Sequence, residues 1–229
     1  MNRKSLSLIG IFLVMVFMQS CSSDPERNLL DRYFQADSLS DIATMSAMAI
    51  SPISIKADSY EILSVTEEVL EPATLPDLNK KYLDIKKQVD DSIVITLAAS
   101  DELDNAKFAE ETSRTTAAKR AARTKVSEAQ TKYDDQYEKH KNVQIEKNDA
   151  EAEAQKEEEI TLFSLGVKEL INVRDLTGEV SFKEVTLRTV GDEGTKDYKF
   201  FLRMYTLKDE STSHLWKGRY IIVSIVPLD

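Results

Sequence analysis

A chain of 229 residues with one cysteine and two histidines has little from which to build a reaction centre. Cys21 cannot form an intramolecular disulfide, so the fold must stand without staples. A lone thiol can be a nucleophile or a small buried apolar residue, and its neighbours suit neither role. In "FMQSCSSDPE" it follows an apolar run and precedes a polar stretch. His140 lies in a long helical stretch and His214 in a loop before Trp216, which suits a seam residue and a loop residue better than metal ligands. No His-x-x-x-His, Cys-x-x-Cys or Gly-x-Ser-x-Gly occurs. The glycines of "GDEG" enclose two acids, so that loop suits a turn and not a phosphate cradle. Acidic pairs are too plentiful to mark any one of them. The run "EKNDAEAEAQKEEEI" lacks EF-hand spacing and reads as a solvated face. The expectation is no catalytic residue, no metal site, no cofactor and no enzyme activity. A net charge of −10 and a pI near 4.9 repel phosphate backbones, which excludes nucleic acid as a partner.

The first twenty residues explain Cys21. Arg3 and Lys4 give a positive start, Leu6 to Met18 is apolar apart from Ser7, and Gln19 and Ser20 precede the cysteine. That is the layout of a secretory signal peptide. The apolar run is shorter than the roughly 20 residues a spanning helix needs, and acids follow it in place of a stop-transfer flank. Met18-Gln19-Ser20-Cys21 resembles a bacterial lipobox, with Gln19 a departure from the small residue that pattern prefers. The resemblance implies cleavage between Ser20 and Cys21, lipid on the Cys21 sulfur and usually a further acyl chain, palmitate or similar, on the new amine. Two or more chains give stable anchoring, since each buried methylene contributes about 0.8 kcal/mol. It also implies a cell-envelope lipoprotein facing the periplasm or exterior. Ser22 after the cysteine favours the outer membrane over the inner. Residues 1–20 are then a removed signal peptide and 21–27 a lipidated tether.

The elements behind this leader fall into segments of different physics. Leu29, Leu30, Tyr33 and Phe34 share one helical face. A second helix capped by Ser38 or Ser40 would carry Ile42, Met45 and Ala49 and end at Pro52. Alternation from Ile53 and Ile55 to Val65 predicts one or two strands with a break near Asp58. Thr74-Leu75-Pro76-Asp77 reads as a helix start, with Thr74 as cap and Asp77 at the third position. From Asp77 to Leu165 there is neither glycine nor proline. Leu78, Tyr82, Ile85 and Val89 step as a coiled-coil seam. So do Ala122, Val126, Ala129, Tyr133, Gln136, His140, Val143, Lys147, Ala150 and Ala154. The two series are out of phase. The weak helix formers of 110–120 lie between them, so the tip of an antiparallel hairpin is expected near Ser113 to Arg120. The same Ala-rich seam could instead pair straight helices of two chains, making a dimer.

After Gly166, three strands are expected. Val180 and Phe182 shift phase to Val185 and Leu187. Tyr198, Phe200, Leu202 and Met204 share one face. Tyr220, Ile222 and Val226 share a face opposite Ile221, Val223 and Ile225. Three strands with one apolar face need cover, and the helices before residue 72 can supply it. The predicted fold class is α+β. Residues 28–75 and 166–229 form a discontinuous domain, a small antiparallel sheet packed with N-terminal helices. Residues 76–165 interrupt it as a long coiled-coil helical hairpin. The order of "DRYFQADSLSDIATMSAMA" and a final "LWKGRYIIVSIVPL" resembles the NTF2-like (cystatin-like) α+β cone of small bacterial lipoproteins. That likeness implies a concave pocket. The leading expectation is a lipid-anchored envelope protein with a non-catalytic binding or scaffolding role. It is held to the membrane by its N-terminal lipid and meets a protein partner through the hairpin or the sheet domain. A small-ligand binder or weak enzyme using an NTF2-like pocket, and a structural spacer in the envelope, are the competing expectations.

Overall fold

The computed structural model describes residues 24–192 and 194–228, so Met18, Ser20 and Cys21 lie outside the described residues. The fold is α+β, with N-terminal helices on an antiparallel sheet and a long antiparallel helical hairpin. The chain divides into two compact units. The described residues of the first fall within 24–71, 180–205 and 218–228, and those of the second within 72–179 and 206–217. The sheet has six antiparallel strands: β1 (Ala57–Val65), β2 (Val69–Pro72), β3 (Thr177–Gly191), β4 (Gly194–Lys208), β5 (Leu215–Lys217) and β6 (Ile221–Leu228). β1 and β2 pair with β3, β3 with β4, and β4 with both β5 and β6. The boundary between the units falls inside β3 and β4.

In the first unit, Pro25 starts α1 (Pro25–Ser38), where a fixed φ suits the first turn. Leu30, Tyr33 and Phe34 leave one side of α1 and are buried against Val185, Leu187, Phe200 and Leu202 of the sheet. Tyr33 meets Phe34 and Phe200 edge to face at 5.9 and 6.0 Å, and Phe34 stacks on Tyr60 at 4.4 Å. Such pairs add about 0.5–1.5 kcal/mol beyond burial. Tyr198, Phe200, Leu202 and Met204 share the core face of β4, as their spacing predicts.

Several local expectations are corrected. The second helix, α2 (Ile42–Ser46), is capped by Asp41, not Ser38 or Ser40: Thr44 donates its amide to the Asp41 carboxylate at 3.0 Å. It ends at Ser46, well before Pro52. The sheet captures the chain that follows, because Ile222 donates to Met48 O and Ile50 donates to Ile222 O, both at 2.9 Å. Ile42 is exposed, while Met45 joins the core. Ile53 and Ile55 are not in a strand. Tyr33 and Asp37, one turn apart on α1, hold that segment with side chains. The Tyr33 hydroxyl donates to Ile53 O at 2.7 Å and accepts from Ile53 N at 2.9 Å. The Asp37 carboxylate accepts from the amides of Ile55 and Lys56 at 3.0 and 2.8 Å. Backbone groups bound this way have no ladder to join. The irregularity near Asp58 is a register shift inside β1, and a second shift falls between Ile62 and Ser64. In β6 the register slips between the Phe201–Ser224 and Leu202–Ile222 pairs. That extra residue puts Ile225 on the core side with Ile222 and leaves Val226 exposed, opposite to simple alternation.

The second unit is built on α3 (Leu75–Thr112) and α4 (Thr116–Leu165). Thr74 precedes α3 but makes no side-chain cap. The Thr115 hydroxyl accepts from Ala118 N at 3.2 Å and caps α4, so the tip is a short turn at 113–115. Gly166 ends α4 in the left-handed region (φ 71°), where its amide and that of Val167 return to Phe163 O and Leu162 O. Gly178 lies where β3 crosses close to β4. A Cβ there would stand 2.2 Å from Thr206 O, which only glycine avoids.

Candidate functional site: an apolar waist on the hairpin

The seam of the hairpin is set by a strict three-four spacing. On α3 the inward residues run Leu75, Leu78, Tyr82, Ile85, Val89, Ser92, Thr96, Ala99 and Leu103, all buried or half-buried. On α4 every seam residue expected from the sequence, Ala122 through Ala154, is buried or half-buried. Cross-helix contacts fix the register. Lys81 pairs with Glu153 at 2.7 Å, Ser92 with His140, Lys132 with Glu102, and Arg123 with Glu110 at 2.8 Å. Each step up α3 is matched by an equal step down α4, so the arms are paired without a slip along their length.

Between Val89 and Ala99 the usual arrangement is reversed. The inward positions are polar: Ser92 and Thr96 from α3, Gln136 and His140 from α4. The Ser92 hydroxyl lies 2.7 Å from Val89 O and 2.8 Å from His140 Nδ1. A hydroxyl has one proton. If it goes to the Val89 carbonyl, the imidazole must donate from Nδ1. Thr96 Oγ1 donates to Ser92 O at 2.8 Å and contacts Gln136 O at 3.3 Å. The large aliphatics of the same stretch point outward: Ile93 is 40%, Val94 67%, Ile95 53% and Leu97 60% exposed. On one side Ile93 and Leu97 join Tyr133 and Tyr137 around a groove of about 210 Å³ floored by Thr96 and His140. The two tyrosine rings stack at 6.0 Å. On the other side the helices are laced by ion pairs, Lys81 to Glu153 and Lys132 to Glu102. Exposed pairs of this kind contribute about 0.2–1 kcal/mol each and serve register more than stability.

This reversal has a physical consequence. A fully buried aliphatic side chain stabilises by about 1.5–3 kcal/mol relative to an exposed one. The waist forgoes about half of that over these four residues while half-burying hydroxyl, amide and imidazole groups in its seam. A chain optimised only for hairpin stability would exchange the two sets. Ile93, Val94 and Leu97 fall together on one side of α3, and Ile95 lies about 200° round the helix from Ile93 at 100° per residue.

The remaining expected site residues fall as follows. His140 is a half-buried seam residue, and His214 lies in the 209–214 loop with its ring 4.6 Å from Trp216. Three acids of the acidic stretch of α4 are in ion pairs: Glu151 with Lys147 at 2.7 Å, Glu153 with Lys81 of α3, and Glu158 with Arg174 at 2.6 Å. Among the described residues no group of three or more His, Cys, Asp or Glu side chains could hold a metal ion, and no helix is long and apolar enough to cross a membrane.

In the first unit two further features concentrate chemistry. Lys183 pairs with the buried Glu26 and lies 5.4 Å over the Tyr220 ring. Tyr220 donates to Glu68 at 2.8 Å. Burial and the Glu68 carboxylate push the Tyr220 hydroxyl up, so it remains a neutral donor. The cluster ties the first turn of α1 to the sheet. On the sheet face away from the core, Phe182, Phe201 and Val223 line a shallow groove of about 350 Å³ together with Arg203. Arg203 lies 5.0 Å over the Phe182 ring. Neighbouring aromatics of β4 thus serve opposite faces: Tyr198 and Phe200 face the core, and Phe201 faces this groove.

No protein-family model, no curated protein and no solved structure matches the chain.

Proposed function

We propose that this is a lipid-anchored cell-envelope protein with a non-catalytic binding role, whose protein partner is met at the hairpin waist. The observation that carries the binding role is the reversal at Ile93–Leu97: outward aliphatics over a polar seam, beside a groove with Tyr133 and Tyr137. Binding is favoured over a cone-pocket activity by the packing between α1 and the sheet. Tyr33, Phe34, Met45 and Met48 fill the face that such a pocket would need. The anchor rests on the leader ending in Met18-Gln19-Ser20-Cys21.

Two measurements test the two parts separately. A photo-crosslinking residue at Leu97 should form a protein adduct in intact cells, while one at Asp149, on an exposed part of α4 away from the waist, should not. Absence of any adduct at Leu97 overturns the waist as a contact surface. Cys21→Ser should leave the chain unprocessed or release it from the membrane. A processed, membrane-bound Cys21→Ser chain overturns the lipid anchor.

A further inference from the structure

We infer that the partner at the waist is a second copy of this chain, docked so that the two α3 helices run antiparallel across a two-fold axis between Ile93 and Leu97. This rests on reading the waist as a contact surface and names what covers it.

The outward face of α3 carries its own heptad stripe. From Leu83 it steps through Lys86, Asp90, Ile93, Leu97, Ser100, Asp104 and Lys107 in alternating threes and fours. Such spacing keeps one face toward a neighbouring helix over many turns. Apolar residues hold its centre and charged residues its ends, as in a helix interface with a dry core and a polar rim.

The charges at the ends select the occupant. On the N-terminal half of this stripe and the flank beside it Lys80, Lys86 and Lys87 stand against one acid, Asp90, with Asp84 and Asp91 beyond the flank. On the C-terminal half Asp101, Asp104 and Glu111 stand against one base, Lys107. None of these side chains is in a salt bridge among the described residues. The face is therefore positive on one side of the waist and negative on the other, with apolar residues between. An identical helix laid antiparallel matches both halves at once. Ile93 meets the second copy's Leu97, Lys86 meets its Asp104, Lys87 lies beside its Asp101, and Val94 faces Val94. Two-fold symmetry makes each match twice. A parallel copy would set lysine on lysine and acid on acid, so the same charges oppose that pairing. From Asn79 to Glu111 the contact would run about 50 Å at 1.5 Å per residue. That length suits the roughly 800 Å² per partner of a stable interface.

The test is the mass of the full chain in mild detergent by sedimentation or native mass spectrometry. Wild type should run at twice the chain mass. Lys86→Glu with Lys87→Glu should bring it to one chain mass at the same concentration, and so should Asp101→Lys with Asp104→Lys. The four changes together should restore the doubled mass, because the matches are then inverted but complete. All four positions are exposed and the seam residues beside them are untouched, so circular dichroism should show unchanged helix in every variant. A wild-type chain that stays monomeric at ~100 µM overturns the second copy. So does a dimer that none of the charge changes weakens, since the pairing must then lie elsewhere. The crosslink at Leu97 separates this from the broader reading. An adduct to a different protein with a monomeric chain retains the contact surface and removes the second copy. No adduct and a monomeric chain remove both.

Discussion

Leu97 and Leu103 lie six residues apart on one helix and differ only in which way they face. Leu97 is 60% exposed on the waist, and Leu103 is 4% exposed in the seam. Truncating each to alanine therefore compares the two faces of α3 with the chemistry held constant. A buried Leu→Ala change costs about 2–5 kcal/mol, the transfer free energy of the lost methylenes plus the cavity left behind. Leu103 should fall in that range. Leu97 has less than half its surface to lose, so its cost should be about 1 kcal/mol, reduced further because alanine is the better helix former. Urea unfolding followed by helical circular dichroism at low protein concentration measures both. The expected gap is about 2 kcal/mol. At higher concentration the Leu97→Ala penalty should grow, because covering by a second copy makes Leu97 a buried residue, while the Leu103→Ala penalty should not change. Equal penalties at the lowest concentration would refute the reasoning, since Leu97 would then be buried within the single chain.

Tyr33→Phe keeps the ring packing against Phe34 and Phe200 and removes two hydrogen bonds to Ile53. Ile53 is partly exposed and water can replace the lost partner, so a loss of about 1–2 kcal/mol is expected in equilibrium unfolding. Burial pushes the Tyr33 hydroxyl up to about 12 from 10. Its raised folded value means the contribution is complete below pH 10 and is lost as pH rises toward 12. A pH series on wild type should show that loss, and Tyr33→Phe should abolish that part of it. Asp209 behaves with the opposite sign. Its carboxylate accepts from the Ser211 and Thr212 hydroxyls at 2.6 and 2.8 Å, which holds it down to about 2. The order it gives the 209–214 loop should be present above pH 4 and lost as pH falls through 2. NMR titration of Asp209 checks this, and a midpoint near 4 would count against the loop geometry.

Much of the architecture was legible because it depends on spacing along the chain. The Gly/Pro-free stretch, the alternating three-four steps from Leu78 to Val89 and from Ala122 to Ala154, and the phase break near Ser113 point to two seamed helices with a break between them, and the turn at 113–115 decides that they pair within one chain. The same holds for the Tyr198 to Met204 face of β4, where alternation meets a single core. Reading failed where a tertiary partner took over a local choice. Ile53 and Ile55 alternate like a strand, yet Tyr33 and Asp37 claim their backbone groups. Ala49 looks helical, yet Ile222 holds the chain on either side of it. Val226 and Ile225 exchange faces because of one extra residue in β6, which no alternation rule can foresee.

The waist was half legible. Extending the seam from Val89 by three and four lands on Ser92 and Thr96, and that alone sets Ile93, Val94, Ile95 and Leu97 off the seam. What the sequence could not decide was whether a second element of the same chain covers them. Sequence determines which residues share a helical face, because that follows from 3.6 residues per turn. Only the tertiary structure decides which faces meet another part of the chain and which stay open to a partner. Burial is a property of all the elements packed together, and no single stretch contains it.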